Sequence, residues 1–456
     1  MEKFGNIVNA PSYLLLVALS AIFSSACVAE EDLGADSESI TAGTTGDESS
    51  SETETTGAEA PQGVDQAPSK LKSQSPSKGA CGPNTKEYFV IRAGLGGQSM
   101  AIDIDYNVYA WGTNDKGQLG IGSMSSPRTT PTKLAGGQKF LDLAGGDKHT
   151  LGLAVDGTVW AWGDNTYGQL ANTTTSIPKK VAGLSNVVQI AAGARFSLAL
   201  TAQGQLYAWG DNTYGQLGLG TIGGTKGTPQ LVTSMSNPTK INAGKEFTAA
   251  LKGDRLYLWG RDDTGQLGNG NPTANQGAPT VVSLTGVYDF VVGPAHTLAF
   301  TPQATSKWYA WGGNSSGQLG TGDTTTRISP TPIIGPSFLY ATPLFASATS
   351  TFIAGASGFG PPKPGLEIVS AGGNGYRQLL HTGPNPTKTF TGMKDVLKEG
   401  WDNGVNHGYL QALAPGNGYT LALVGTTVKA IGFNTAGQLG DGTLTSRNTP
   451  TNVCLP

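Results

Sequence analysis

Short apolar segments of two kinds alternate along the chain after about residue 86. One kind sets two large side chains two positions apart and ends in glycine: Tyr109-Ala110-Trp111-Gly112, Trp160-Ala161-Trp162-Gly163, Tyr207-Ala208-Trp209-Gly210, Tyr257-Leu258-Trp259-Gly260 and Tyr309-Ala310-Trp311-Gly312. Side chains two apart share one face of a strand, so each is read as a strand. A polar loop follows, ending in Gly-Gln-Leu and rich in Asn and Gly, the residues that tolerate positive φ in turns. The second kind lies upstream, as in AAGARFSLAL from Ala191, with counterparts from Ala144, Ala243, Gly293 and Pro415. Downstream comes a Thr-Pro or Ala-Pro segment, from Thr130, Thr228, Ala278, Thr331 and Thr449, and then a further apolar run such as that from Phe140 or Val187. Four short strands per unit are predicted.

The unit recurs. A sixth copy, KAIGFNTAGQLGDG, starts at Lys429, and a degenerate seventh, VSAGGNGYRQLLHT, at Val369. Aligned on the residue before Gln-Leu, the copies fall at Gly117, Gly168, Gly215, Gly265, Gly317, Arg377 and Gly437, spaced 47 to 52 residues apart and then 60 twice. Fixed-period repetition of four-strand units at this spacing is the signature of a β-propeller.

The interlocked pattern of an inner apolar run, a His- or Phe-led strand and Tyr-Ala-Trp-Gly-x-Asn-x-x-Gly-Gln-Leu-Gly resembles the repeat of the regulator of chromosome condensation (RCC1-type) family. It runs from about Lys86 to the end. The resemblance implies an all-β, seven-bladed propeller, matching the seven copies. Aligning FVIRAG from Phe89 with FLDLAG from Phe140, and TPTNVC from Thr449 with TPTKLA from Thr130, maps Cys81 onto Thr132 and Cys454 onto Ala135. Both chain ends then fall on the same part of one unit. The expectation is a ring closed by the C-terminal strand joining the N-terminal blade, with a Cys81–Cys454 disulfide beside the seam.

Composition refines this picture. Glycine makes up 67 of 456 residues, about twice the usual share of roughly 7%, as turn-rich blades require. Charged residues are 13% and the net charge is −3, which argues against nucleic acid as a partner. The charge is unevenly spread: residues 30–80 carry 11 acids and 3 lysines, residues 81–456 carry 25 basic and 20 acidic groups.

Three parts follow. Residues 1–26 read as a lipoprotein signal peptide, because the apolar run 13–23 suits a signal core and is too short to span a bilayer. Ser24-Ser25-Ala26 before Cys27 resembles a bacterial lipoprotein cleavage box, with Ser24 where leucine is preferred. The alternative is ordinary signal cleavage leaving a spare thiol. Residues 27–80 read as a lipidated cysteine followed by a disordered acidic Ser/Thr-rich linker, too poor in apolar residues to order. Residues 81–456 form the propeller. The expected location is extracytoplasmic, lipid-anchored to a bacterial membrane, with the outer membrane and the cell surface among the options and the choice of membrane and leaflet left open by the sequence.

Trp111, Trp162, Trp209, Trp259 and Trp311 recur at one repeat position and read as packing between blades rather than sugar stacking. His149 and His296 stand where other copies have Phe196, Phe247 and Tyr419, so they read as packing groups with a polar tip, since a metal would not accept phenylalanine. Asp164, Asp211 and Asp262 read as turn residues. The irregular stretches 335–365 and 381–408 are either recognition loops or decayed blade segments. Phe359, Tyr376, Met393, Trp401, His407 and Tyr409 in and around them are the binding candidates.

No catalytic, phosphate-binding or metal-binding motif emerges, and no cofactor or metal is expected. The best-known member of the resembled family is a nuclear exchange factor for a small GTPase. A secreted chain would not meet that GTPase, and exchange is not expected here. Bacterial propellers of similar repeat type include secreted protein binders, one an inhibitor of β-lactamase. The reading is a monomeric protein-binding module without chemistry of its own, whose partner is an unidentified protein of the cell envelope. The competing readings are a carbohydrate-active lyase or glycosidase, with paired carboxylates at the channel mouth, and a structural or adhesion protein.

Overall fold

The computed structural model describes residues 86–302, 307–335, 340–356, 366–381, 384–392 and 410–456. The chain divides into two units, Met1–Lys78 and Gly79–Pro456, and every described residue lies in the second. Among the described residues there are 28 strands, numbered β1 to β28 in chain order, in seven four-stranded sheets. Each sheet takes four consecutive strands, all antiparallel. The first is β1 (Tyr88–Ala93), β2 (Gln98–Asp103), β3 (Val108–Gly112) and β4 (Arg128–Lys133).

The first strands of the sheets are β1, β5 (Phe140–Gly145), β9 (Val187–Ala192), β13 (Lys240–Ala243), β17 (Asp289–Val292), β21 (Tyr340–Ala346) and β25 (Leu410–Pro415). Each packs on the next in that order, and β25 packs on β1. The seven sheets therefore form a closed ring with the first strands around the axis, a seven-bladed propeller.

Second strands lack the alternation of a half-exposed sheet. All six residues of β2, of β6 (His149–Ala154) and of β10 (Phe196–Thr201) are buried. Each blade is covered on both faces by its neighbours, so both faces are withdrawn from water and their polar side chains need partners. The hydrophobic side chains gather into seven clusters, each drawn from two adjacent blades.

Closure differs from the expectation. The last strand, β28 (Arg447–Asn452), pairs with β27 (Thr427–Gly432) inside the seventh blade, and the first blade is complete without it. The physical reason is phase. Periodicity shows that both ends fall near one point of the unit, but hydrogen bonding decides where a blade begins. Here each blade begins at its axial strand and ends at its outer one, so TPTNV serves the seventh blade as TPTKL serves the first. Among the described residues no strand is shared across the seam.

Side chains close the ring instead. Trp111 Nε1 donates to the Gln438 carbonyl at 2.9 Å, and Ser99 Oγ donates to the same oxygen at 2.8 Å. Tyr88 Oη donates to the Pro456 carbonyl at 3.2 Å. Cys454 is disulfide-bonded, while Cys81, like Cys27, lies outside the described residues.

Part of each stretch read as irregular is blade. Residues 340–356 contain β21 and β22 (Ser350–Ala356), and 384–392 contain β24 (Thr387–Gly392), so they supply three strands of the sixth blade. Residues 357–365 connect β22 to β23 (Leu366–Gly372), and 393–409 connect β24 to β25.

Candidate functional site

The recurrent motif builds the scaffold. In blade 1, Asn114 Nδ2 donates to the Ser123 and Ser125 carbonyls at 2.9 and 3.3 Å, while its Oδ1 accepts from Leu119 N–H at 3.0 Å. The Gln118 carbonyl reaches the next blade, accepting from Trp162 Nε1 at 3.0 Å and Thr150 Oγ1 at 2.8 Å. The same tryptophan bond recurs from Trp209 to Gln169, from Trp259 to Gln216 and from Trp311 to Gln266, at 2.8 to 3.0 Å. All five tryptophans are fully buried. At Gly120 (φ +67) a Cβ would sit 2.7 Å from Trp162 Nε1, so only glycine lets the ring in.

Blade 6 solves the same problem differently. Ala371 stands where the tryptophan would be, opposite Thr351 as Trp162 is opposite Thr150. Phe390 fills the space: a Cβ on Gly320 would meet its ring at 2.3 Å. Phe390 itself replaces the proline found in the other outer strands, as at Pro131, Pro178 and Pro279.

His149 and His296 are buried, with Nε2 3.1 Å from Ser197 Oγ and 2.8 Å from Thr351 Oγ1 of the next blade. Burial lowers both imidazoles to about 4, so they are neutral at pH 7. They pack as Phe196 and Phe247 do. Asp164 and Asp211 are turn residues, bonded to Thr166 and Thr213. Asp262 is different. It occupies the Asn114 position, fully buried, with Oδ1 accepting from Leu267 N–H at 2.9 Å. Burial raises its carboxyl to about 6, against the Leu267 and Asn269 hydrogen bonds that lower it.

With the repeat residues committed to structure, one face carries a further set of charged and aromatic side chains. It is built by the hairpins between first and second strands and the loops between third and fourth. Lys148 Nζ bonds Asp115 Oδ2 of the preceding blade at 2.7 Å. The Arg195 guanidinium lies 4.6 Å over the Tyr167 ring and that of Arg261 lies 4.7 Å over Tyr214. Arg261 also pairs with Glu246 and Asp263. Tyr376, a predicted binding residue, belongs to this face, 44% exposed and 5.5 Å from the Phe433 ring of the next blade. It is the blade 6 counterpart of Tyr167 and Tyr214. Phe359, Met393, Trp401, His407 and Tyr409 lie outside the described residues. The cation–aromatic pairs were legible only in part. The repeat shows Tyr167 and Tyr214, but nothing in it says that an arginine of the next blade covers them.

At the centre of this face the axial channel opens into a cavity of about 190 Å³, lined among others by Leu95, Asp147, Lys245, Ser347 and Asn417. Burial raises the Asp147 carboxyl, opposed by Lys245 and Arg195. Asp147 is the one carboxylate among the lining residues, whereas a glycosidase needs two, about 5 to 9.5 Å apart. Among the described residues no group of three or more His, Cys, Asp or Glu could hold a metal ion.

Comparison with known proteins gives the same architecture. Prp20p from Saccharomyces cerevisiae superposes with a TM-score of 0.63 at 21% identity, covering 82% of this chain and 87% of that one. Human WBSCR16 gives 0.63 at 22%, over 77% and 94%. In sequence, 249 residues are 33% identical to the probable E3 ubiquitin-protein ligase HERC4 of Homo sapiens, 53% of this chain and 19% of that protein. A shorter stretch of 75 residues is 41% identical to the protein RCC2 homolog of Xenopus laevis, 16% of this chain and 14% of that one. The chain thus spans about a fifth of the length of the HERC4 relatives it matches. The family description that matches, over residues 14–359, is RCC1-like domain, and the chain belongs to that family.

Proposed function

We propose that this chain is an extracytoplasmic, lipid-anchored propeller acting as a protein-binding module at the bacterial cell envelope. One observation carries the reading. The recurrent polar and aromatic residues are consumed by latches between blades, and one hairpin face of a rigid ring carries further charged and aromatic side chains, exposed Tyr376 among them. Recognition residues on loops held by a rigid scaffold are the usual arrangement of a binding protein. The ligase activity in the HERC4 name belongs to a protein of which the matched stretch is 19%, and it is not carried over.

Cys27 is proposed as the lipidated residue, with residues 28–80 as the tether. The partner proposed for Cys454 is Cys81, which ties the two ends of the propeller. The test is capture of partners from intact cells with the full chain, read by mass spectrometry, against a variant carrying Tyr167→Ala, Tyr214→Ala and Tyr376→Ala. A partner enriched with the parent and lost with the variant is the expected result. A partner retained equally by both, or turnover of a polysaccharide by the parent, overturns the reading. Fatty-acid labelling that persists in Cys27→Ala overturns the anchor.

A further inference from the structure

The hairpins between first and second strands meet around the axis, and their tips are laced together by backbone hydrogen bonds on one side only. Gly96 N–H donates to the Gly146 carbonyl at 3.2 Å, Asp147 to Ala194 at 3.1 Å, Ala194 to Lys245 at 2.8 Å and Lys245 to Pro294 at 3.0 Å. This joins blades 1 to 5. The lacing stops at Pro294 because proline has no N–H to pass on. Among the described residues no backbone hydrogen bond joins the tips of blades 5 and 6, 6 and 7, or 7 and 1. The peptide N–H groups of Ala348 and Asn417, which stand at the lacing positions of blades 6 and 7, therefore have no backbone acceptor.

The axial cavity lies where the lacing fails. Besides Asp147 and Lys245, its lining comes from the tips of blades 1, 5, 6 and 7. At about 190 Å³ it has room for about six waters at roughly 30 Å³ each, the bulk of a single amino-acid residue. Its lining includes Ala348 and Asn417, whose peptide N–H groups have no backbone acceptor, together with Lys245 and Asp147. Ser347 Oγ, also in the lining, is buried without a hydrogen-bond partner. Converging backbone N–H groups form an anion-binding concavity, and capture of a chain-terminal carboxylate is one recurring use of it.

Resting on the binding-module reading, we infer that this gap is a subsite for an α-carboxylate that carries its own N–H donor. The Ala348 and Asn417 peptide N–H groups take the carboxylate, with the Lys245 ammonium at the rim, and Asp147 accepts from the ligand N–H. Two sources share this chemistry, a free α-amino acid and the C-terminal residue of a polypeptide.

Pro294 supplies the test, since it shows that a tip accepts proline. Ala348→Pro removes one donor and leaves the hairpin backbone as it is in blade 5. Asn417→Pro, preceded by Gly416 as Pro294 is by Gly293, removes the other. The full chain is titrated by calorimetry with alanine, with trialanine and with trialanine amide. Binding of trialanine but not of its amide, weakened roughly tenfold or more by Ala348→Pro at unchanged melting temperature, supports a polypeptide terminus. Binding of alanine alone, with the same sensitivity, supports a free amino acid. Absence of binding by both acids, equal binding of acid and amide, or indifference to both proline variants overturns the inference. Capture of an envelope partner by a chain that binds neither alanine nor trialanine would leave the binding module standing and remove this subsite.

Discussion

Replacing Asp262 by asparagine is expected to stabilise the propeller at neutral pH. Blade 4 is the one blade with a carboxylate where the others place an asparagine amide. In blades 3, 5 and 7, as in blade 1, that amide donates to two carbonyls of its own loop. Asp262 has no such donor when ionised, it is fully buried, and its Oδ2 has no hydrogen-bond partner. Its carboxyl is raised from 3.8 to about 6, chiefly by burial. A raised carboxyl favours the protonated form in the fold. Its ionisation therefore penalises the native state fully above the folded value, and the penalty fades as pH falls from about 6 to about 4. Two units of displacement correspond to about 3 kcal/mol at pH 7. The Gly79–Pro456 unit has an unfolding entropy of about 2.1 cal/mol/K per residue, which converts this to about 3 to 4 °C in Tm. The assay is thermal unfolding of parent and Asp262→Asn at pH 7 and pH 4. A gain at pH 7 that vanishes at pH 4 is expected. A variant that melts at or below the parent at pH 7, or a gain of equal size at pH 4, would refute the electrostatic account.

Other outcomes follow from the same packing. His149 and His296, held near 4 in the fold against about 6.5 unfolded, make the parent lose stability as pH falls from about 6.5 to about 4. His149→Phe with His296→Phe, copying blades 3 and 4, is expected to flatten that limb in pH-dependent melting, and an unchanged limb would exclude the two imidazoles as its cause. Trp209→Ala, which empties a fully buried site and leaves the Gln169 carbonyl without its indole donor, is expected to cost about 3 to 5 kcal/mol in denaturant unfolding. Ala371→Trp alone is expected to destabilise by about 1 to 3 kcal/mol, because Phe390 already occupies the space. Adding Phe390→Pro restores the pattern of the other blades and is expected to recover most of the loss. Additive effects would mean the two residues do not share one site. Thiol titration of the unfolded, unreduced chain is expected to find Cys81 and Cys454 unreactive. Their reduction is expected to lower stability by up to about 6 kcal/mol in the chain-entropy limit.

The sequence alone determined the class of fold, the number of blades and the four-strand unit. All three follow from local periodicity: side chains two apart on a strand, and a motif that every blade must repeat to meet its neighbour. The role of the five tryptophans was legible for the same reason, since a residue that recurs at one position of five of the seven units serves the contact between units. Tertiary structure alone decided the phase. Only hydrogen bonding shows that a blade begins at its axial strand, so the C-terminal strand stays in the seventh blade and the seam is held by Trp111, Ser99 and Tyr88. It also decided that Phe390 does the work of a missing tryptophan from another strand, an exchange invisible to alignment because the two positions differ. The mouth depended on it as well. Nothing in the sequence sets Pro294 apart, and only the ring of neighbouring tips shows that its missing N–H interrupts a chain of hydrogen bonds. Whether a backbone donor is satisfied depends on residues tens of positions away, and strand periodicity carries no information about them.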